Sequence, residues 1–244
     1  MTPRICITSV GCRERYVPYL DRLEASLKRW NPNLPRLFFR DCWPPKSPPH
    51  QTSHYEFKAH AMKAVYWAGF NVGIWLDAAC EVVGDLSPIL QRLEETGYYL
   101  TAGNEPLGEW ISDQALAKYG MSRDQAMDLK LCGGAIVAID FRRAEILGWP
   151  FLQEWLRLAE DGLFYTSHSE FAPDKMTSLR VSDGPKKEVH STDPRFKGHR
   201  SDEACFSLML HKRDLEPFSI YEHFCQAEFK NQNAVIKTGY DGRF

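Results

Sequence analysis

The chain has 244 residues, 43% of them hydrophobic, and a formal net charge of −2. This fits one large α/β domain or two small ones, with apolar content for a sizeable core. The near-balanced charge gives no global pull toward nucleic acid or an anionic membrane, and no apolar run reaches the roughly 18 residues of a membrane span.

Seven cysteines (Cys6, Cys12, Cys42, Cys80, Cys132, Cys205 and Cys225) are scattered without a C-x-x-C pair, which argues against a structural zinc site. Their odd number argues against a disulfide framework, and most are expected to be reduced and buried. The first residues, MTPRICITSV, read as a strand rather than a basic head with an apolar signal core, so the expectation is a soluble, cytoplasmic protein. There are no internal repeats and no low-complexity tracts.

In chain order, Arg4 to Val10 reads as a first strand, broken by Gly11 and Cys12. Val17, Leu20, Leu23 and Leu27 recur every three or four residues and predict an amphipathic helix from Tyr16 to Trp30, ended by Pro32 and Pro35. Arg36 to Arg40 is a second strand, so the chain opens as β–α–β. Asp41 to His50 carries four prolines and reads as a loop. A helix from His54 to Gly69 follows.

Val72 to Leu76 is an apolar run closed by Asp77, the pattern of a buried central strand that delivers a carboxylate to the sheet edge. Ligands of open α/β sheets bind outside the carboxyl ends of such strands. The bland alternative for Asp77 is a turn or cap. Glu81 to Val83 is strand-like, Pro88 to Thr96 a helix, and Tyr98 to Ala102 a strand. Ser112 and Ser122 each open a short helix, and Ser122 to Gln125 has capping-box spacing.

Leu131 to Asp140 is a strand that starts on the paired glycines Gly133 and Gly134, a mark of close backbone approach to a ligand. Phe141 to Asp161 is amphipathic, with a fresh helix start near Pro150. Gly162 to Lys197 is polar, irregular and long enough to suggest a lid on the acceptor side. Gly198 to Lys212 is a helix with Ser201 or Asp202 as its cap, burying Cys205, Phe206, Leu208 and Met209. Glu216 to Tyr221 suggests a closing strand.

Three of these segments carry a resemblance. WLDAACEVVGDLSPI, LCGGAIVAID and GHRSDEACFSLMLHK, in that order, resemble elements of the GT-A glycosyltransferases, in a branch also found in phages and viruses. The first is similar to that family's DxD strand and the helix after it. The match spans roughly Arg4 to Lys212. It implies an α/β GT-A (Rossmann-like) fold, a single domain over residues 1–244 with a mostly parallel central sheet flanked by helices. It also implies a nucleotide-sugar donor, such as a UDP-sugar, and hexosyl or pentosyl transfer to a hydroxyl, with retention favoured.

The resemblance further implies site residues. The loop after the first strand, with Val10, Gly11 and Tyr16, would wrap the nucleotide. Lys58, Asp77, Gly133, Gly134, His199 and Arg200 would line the donor, and Asp202 with Glu203 would act on the sugar. The family holds a divalent metal, Mn2+ or Mg2+, between the two DxD acids and a C-terminal histidine. Here the first acid is Asp77, the second position is Ala79, and His223 is the candidate histidine. Either Asp77, His223 and the diphosphate hold the metal, or basic groups such as Lys58, His199 and Arg200 replace it.

Other readings start from specific features. Nine basic residues between Lys175 and Arg213 (Lys175, Arg180, Lys186, Lys187, Arg195, Lys197, Arg200, Lys212 and Arg213) stand against five acids. That excess would suit a phage-type enzyme acting on hydroxymethylated bases in DNA, so the acceptor is a glycan, a small molecule or modified DNA. Ala79 is the main support for a non-catalytic nucleotide- or sugar-binding protein. A nucleotidyltransferase would want a glycine-rich basic loop after the first strand, where Ser9 to Arg15 holds one glycine.

Overall fold

The computed structural model describes residues 3–12, 14–50, 53–143, 148–164, 191–226 and 231–238. Its centre is a six-stranded sheet in the order β2 (Arg36–Arg40), β1 (Ile5–Gly11), β3 (Val72–Leu76), β6 (Lys130–Asp140), β5 (Tyr98–Pro106), β7 (Phe218–Ser219). β1 is parallel to β2 and β3, and β5 is parallel to β7. Only β6 runs against its neighbours, pairing antiparallel with β3 and β5. The sheet is therefore mostly parallel, as expected, and Asp77 follows the carboxyl end of β3.

Side chains alternate across the sheet and divide the core in two. Val72, Ile74 and Leu76 of β3, with Ile136 and Ala138 of β6, pack with Leu20, Leu23 and Leu27 of α1 (Val17–Trp30) and Ile89 and Leu93 of α3 (Ser87–Thr96). Trp75, Val137 and Ile139 face the other way, toward α2 (Glu56–Trp67), α6 (Gly148–Glu160) and α7 (Ser201–His211). The helices that carry Lys58 and Asp202 thus share one face of the sheet, and meet over β3 and β6.

Several expected boundaries move. Gly11 does not break β1; it pairs with Arg40 in the parallel register and extends the strand. The strand-like piece after Asp77 is β4 (Cys80–Val82), which leaves the main sheet and joins β8 (Phe224–Gln226) and β9 (Ile236–Thr238) in a second, three-stranded sheet. β5 runs on to Pro106, with register shifts after Leu100, and a 3-10 turn, Leu107–Glu109, follows it. The short helices are α4 (Asp113–Lys118) and α5 (Arg123–Met127), capped by Ser112 and Ser122; Ser122 and Gln125 form the full capping box.

Phe141 does not start a helix. α6 begins at Gly148, whose φ of +43° suits glycine, and whose added Cβ would meet the Arg143 carbonyl carbon at 2.9 Å. The expected closing strand shrinks to Phe218–Ser219. Most of the expected lid, with Lys175, Arg180, Lys186 and Lys187, lies outside the described residues. Among the described residues no helix is long and apolar enough to cross a membrane.

Candidate active site

The side chain at the centre of the site is Lys58. It sits in the first turn of α2, 2% exposed, with its ammonium donating to the Gly134 carbonyl at 2.9 Å. Asp77 Oδ1 lies 3.3 Å from Nζ and Asp202 Oδ2 lies 3.0 Å from it. One buried cation therefore joins three elements: the strand end of β3, the glycine pair of β6 and the first turn of α7. Burial opposes a charge on Lys58, but Asp202 and Asp77 outweigh it and raise its pKa, so the ammonium stays charged.

Asp202 is 1% exposed. Burial pushes its carboxyl up to about 7, against the pull of Lys58 and with the help of Glu203. A carboxyl that titrates near neutrality beside a cleft has the environment expected of a functional acid. Asp202 is not the helix cap: the cap position is Arg200, and Asp202 points inward from the first turn rather than standing at an exposed end. Ser201, just before it, has φ +36°, and Tyr55, just before α2, has φ +60°. Both strained residues lead into the helices that aim Asp202 and Lys58, where such strain commonly gathers.

Asp77 is also held by Trp75, whose indole N–H donates to Oδ1 at 2.8 Å. Residues two apart on a strand share a face, so this pairing was readable in W-x-D, although Trp75 was not singled out. Glu203 accepts the Gly134 N–H on Oε1 at 3.1 Å, and its Oε2 lies 3.3 Å from Arg200 Nη1. Gly134 has no room for a side chain: an added Cβ would lie 2.9 Å from both Asp202 Oδ2 and Lys58 Nζ. Gly133 instead faces a cleft of about 350 Å3 shared with Asn104, Glu105, Arg200, Glu203 and Tyr221. Arg200 packs over the Trp110 ring, 4.7 Å from its centre, a second contact that the sequence reading missed.

The other expected residues are placed as follows. Val10 and Gly11 end β1, and Tyr16 caps α1 with its ring 6.4 Å from that of Tyr19. Lys58, expected to meet a phosphate, is turned onto carboxylates and buried, so it is an internal counter-ion rather than an open anion site. His199 is locked inside: its Nδ1 accepts from the Ser112 N–H at 3.2 Å, and its Nε2 lies 2.6 Å from the Leu163 carbonyl. That pairing assigns the proton to Nε2 and takes both ring nitrogens away from a donor. The His223 ring packs on Tyr99, 6.4 Å between centres.

The solved structures that resemble this chain share its architecture across nearly the whole length. A glycosyltransferase involved in the glycosylation of the major capsid of PBCV-1 superposes with a TM-score of 0.52 at 9% identity, covering 98% of this chain and 94% of that one. Mouse xyloside xylosyltransferase 1, in its apo form, superposes with a TM-score of 0.51 at 9% identity, covering 98% of each chain. The chain has a GT-A glycosyltransferase fold. No protein-family model matches it, and no curated protein matches it in sequence.

On a GT-A frame, the turn after β3 is where the resemblance places a divalent metal, and the residues here do not fit one. Ala79 brings no ligand. Asp77 Oδ1 accepts the Trp75 N–H and lies beside the Lys58 ammonium, which would repel a second cation. Among the described residues no three histidine, cysteine, aspartate or glutamate side chains converge as a metal site.

Proposed function

We propose that the chain is a glycosyltransferase that moves a sugar from a nucleotide-sugar donor to an acceptor hydroxyl with retention of configuration. The observation that carries this reading is the buried Lys58 ammonium joining Asp77 and Asp202 at the carboxyl end of β3. The cleft beside Gly133 and Glu203 gives a substrate access to the edge of that cluster. Three ionisable groups gathered under a glycine-lined cleft, on a GT-A fold, are costly unless they serve chemistry.

In the reaction, the bond between the anomeric carbon and the diphosphate oxygen breaks, and its electron pair leaves with the diphosphate. The acceptor oxygen attacks from the same face, and its proton passes to the departing diphosphate oxygen. Asp202, ionised, steadies the positive charge that develops on the sugar. Lys58 holds Asp202 and Asp77 in register. Glu203, fixed by the Gly134 N–H and Arg200, borders the cleft where the sugar would lie. Gly133, which faces the cleft, lets the donor approach the backbone of β6.

The DNA-directed reading has less support. Of the basic residues that motivated it, Arg195 pairs with Asp193 and Asp124, Lys197 with Glu109, Arg200 with Glu203, and Lys212 and Arg213 with Glu154. Cations already paired with carboxylates are poor trackers of phosphates.

A thermal-shift screen of UDP-, GDP-, CDP- and dTDP-sugars tests the donor reading. At least one should raise the melting temperature by mass action, and a free sugar should not. No shift with any nucleotide sugar, with and without Mn2+, contradicts it.

A further inference from the structure

Two cysteines far apart in sequence meet where β1 and β2 leave the sheet. The Cys12 thiol donates to the Cys42 carbonyl, and beside it the Asp41 N–H donates to the Gly11 carbonyl at 3.2 Å. A carbonyl oxygen is about 2.4 Å from its own Cα, so a thiol in contact with it stands within roughly 5 Å of the Cys42 Cα. Disulfides span Cα separations of about 4.4–6.8 Å, so a rotation of the Cys42 side chain and a small backbone shift bring the sulfurs into bonding range. The two thiols differ in access. Of the six described thiols only Cys42 is exposed, and Cys12 is buried beside it. Cys6, Cys80, Cys132 and Cys205 are also buried, and burial pushes their thiols up, Cys6 to about 11 and Cys132 to about 12, so they stay protonated and shielded. An exposed thiol can meet an oxidant in solution, and a buried neighbour can resolve the adduct.

The pair is also linked to the candidate site. β1 and β3 are parallel, with Thr8 opposite Trp75, so Cys12 and Asp77 leave the sheet at the same edge. Trp43, next to Cys42, packs on Phe57 at 5.3 Å between ring centres, and Phe57 packs on Trp75 at 5.8 Å. Trp75 holds Asp77 through its indole N–H, and Phe57 immediately precedes Lys58. A chain of packed rings therefore runs from Cys42 to the carboxylate at the end of β3.

We propose that Cys12 and Cys42 form a reversible disulfide, with a low-molecular-weight disulfide such as oxidised glutathione as the oxidant, and that this bond weakens donor binding. The Cys42 thiolate attacks one glutathione sulfur; the glutathione S–S bond breaks, and its electron pair leaves on the other glutathione as a thiolate. The Cys12 thiol, its proton lost to solvent, then attacks Cys42 Sγ and expels the second glutathione thiolate. Two protein thiols are oxidised and one glutathione disulfide is reduced to two thiols. The new bond replaces the contact of Cys12 with the Cys42 carbonyl, draws Cys42 inward and shifts Trp43. Through Phe57 and Trp75, Asp77 then loses its fixed position.

The effect on the donor rests on the nucleotide-sugar reading; the bond itself does not. The protein is equilibrated in glutathione buffers from reduced to oxidised, alkylated, digested and weighed by mass spectrometry. Wild type should yield a linked Cys12–Cys42 peptide that dithiothreitol reverses. Cys12→Ser should stop at a glutathione adduct on Cys42, and Cys42→Ser should give neither product. Calorimetry with UDP, GDP, CDP and dTDP then compares the two redox forms. The nucleotide that binds reduced wild type should bind the oxidised form at least roughly fivefold more weakly, the low end of coupling between two sites. Cys42→Ser should bind it equally after both treatments. Absence of the linked peptide, or an adduct that persists on Cys42 in wild type, overturns the disulfide. A linked protein that binds nucleotide as well as the reduced one overturns the switch and leaves the donor reading standing. No nucleotide binding in either form overturns the donor reading, and the switch with it.

Discussion

Replacing Lys58 by methionine removes the cation that lies between two carboxylates and keeps most of the length of the side chain. Charges 3.0 and 3.3 Å apart attract by roughly 5 kcal/mol each at an effective dielectric constant of about 20. Desolvating each ion costs several kcal/mol, so the intact cluster contributes little net stability. Removing the lysine alone is different, because it leaves Asp77 and Asp202 without their counter-ion and the Gly134 carbonyl without its donor. Such a break costs roughly 3–5 kcal/mol, which corresponds to a drop of roughly 6–20 °C in Tm for a chain of this size.

The loss should depend on pH in a definite direction. Burial already raises the Asp202 carboxyl to about 7. A raised carboxyl contributes stability that is complete below its unfolded pKa and lost as pH rises through the folded value. Without Lys58 that value climbs further, so Lys58→Met should be mildly destabilised near pH 5 and strongly destabilised near pH 8. The double variant Lys58→Met/Asp202→Asn should regain much of the difference at pH 8. Urea unfolding at the two pH values gives the comparison. A Lys58→Met protein as stable as wild type at pH 8, or a double variant no better than the single one, refutes the ion cluster as described.

Asp202→Asn should keep or raise the melting temperature and cut turnover roughly a hundredfold or more, the scale of a positioned acid or base. In the wild type, kcat/KM should rise with pH and level off above about 7 as Asp202 ionises, and a flat profile through that range removes Asp202 from the reaction. The two glycines of β6 should separate cleanly. Gly134→Ala places a Cβ 2.9 Å from Asp202 and Lys58 and should cost roughly 1–3 kcal/mol on thermal unfolding. Gly133→Ala meets nothing nearer than 3.8 Å; it should fold normally and weaken donor binding only, and equal stability losses would contradict the packing described.

The parts of the fold that local pattern controls were legible in the sequence. The strand closed by Asp77, the heptad-like spacing of α1 and the serine caps of α4 and α5 each declare themselves within a few residues. The second sheet did not, because β8 and β9 are three-residue strands made by partners far along the chain. The candidate site was half readable. Asp77, Asp202 and the glycine pair stood out by position, but nothing local says that Lys58 turns inward, since a helix lysine ordinarily stays in water. The burial of His199 between Ser112 and Leu163, and the packing of Trp110 under Arg200, depend on long-range contacts that spacing does not encode.

The most direct test of the Lys58–Asp77–Asp202 cluster as a centre of sugar transfer is release of nucleoside diphosphate from the nucleotide-sugar panel. It is followed for the wild type, Asp77→Ala and Asp202→Asn, with mixed saccharide acceptors and with water alone. Steady release from at least one donor, lost in both variants while their folds persist, is the predicted result. A protein that binds a nucleotide sugar yet releases nothing, or whose release is untouched by both substitutions, contradicts it.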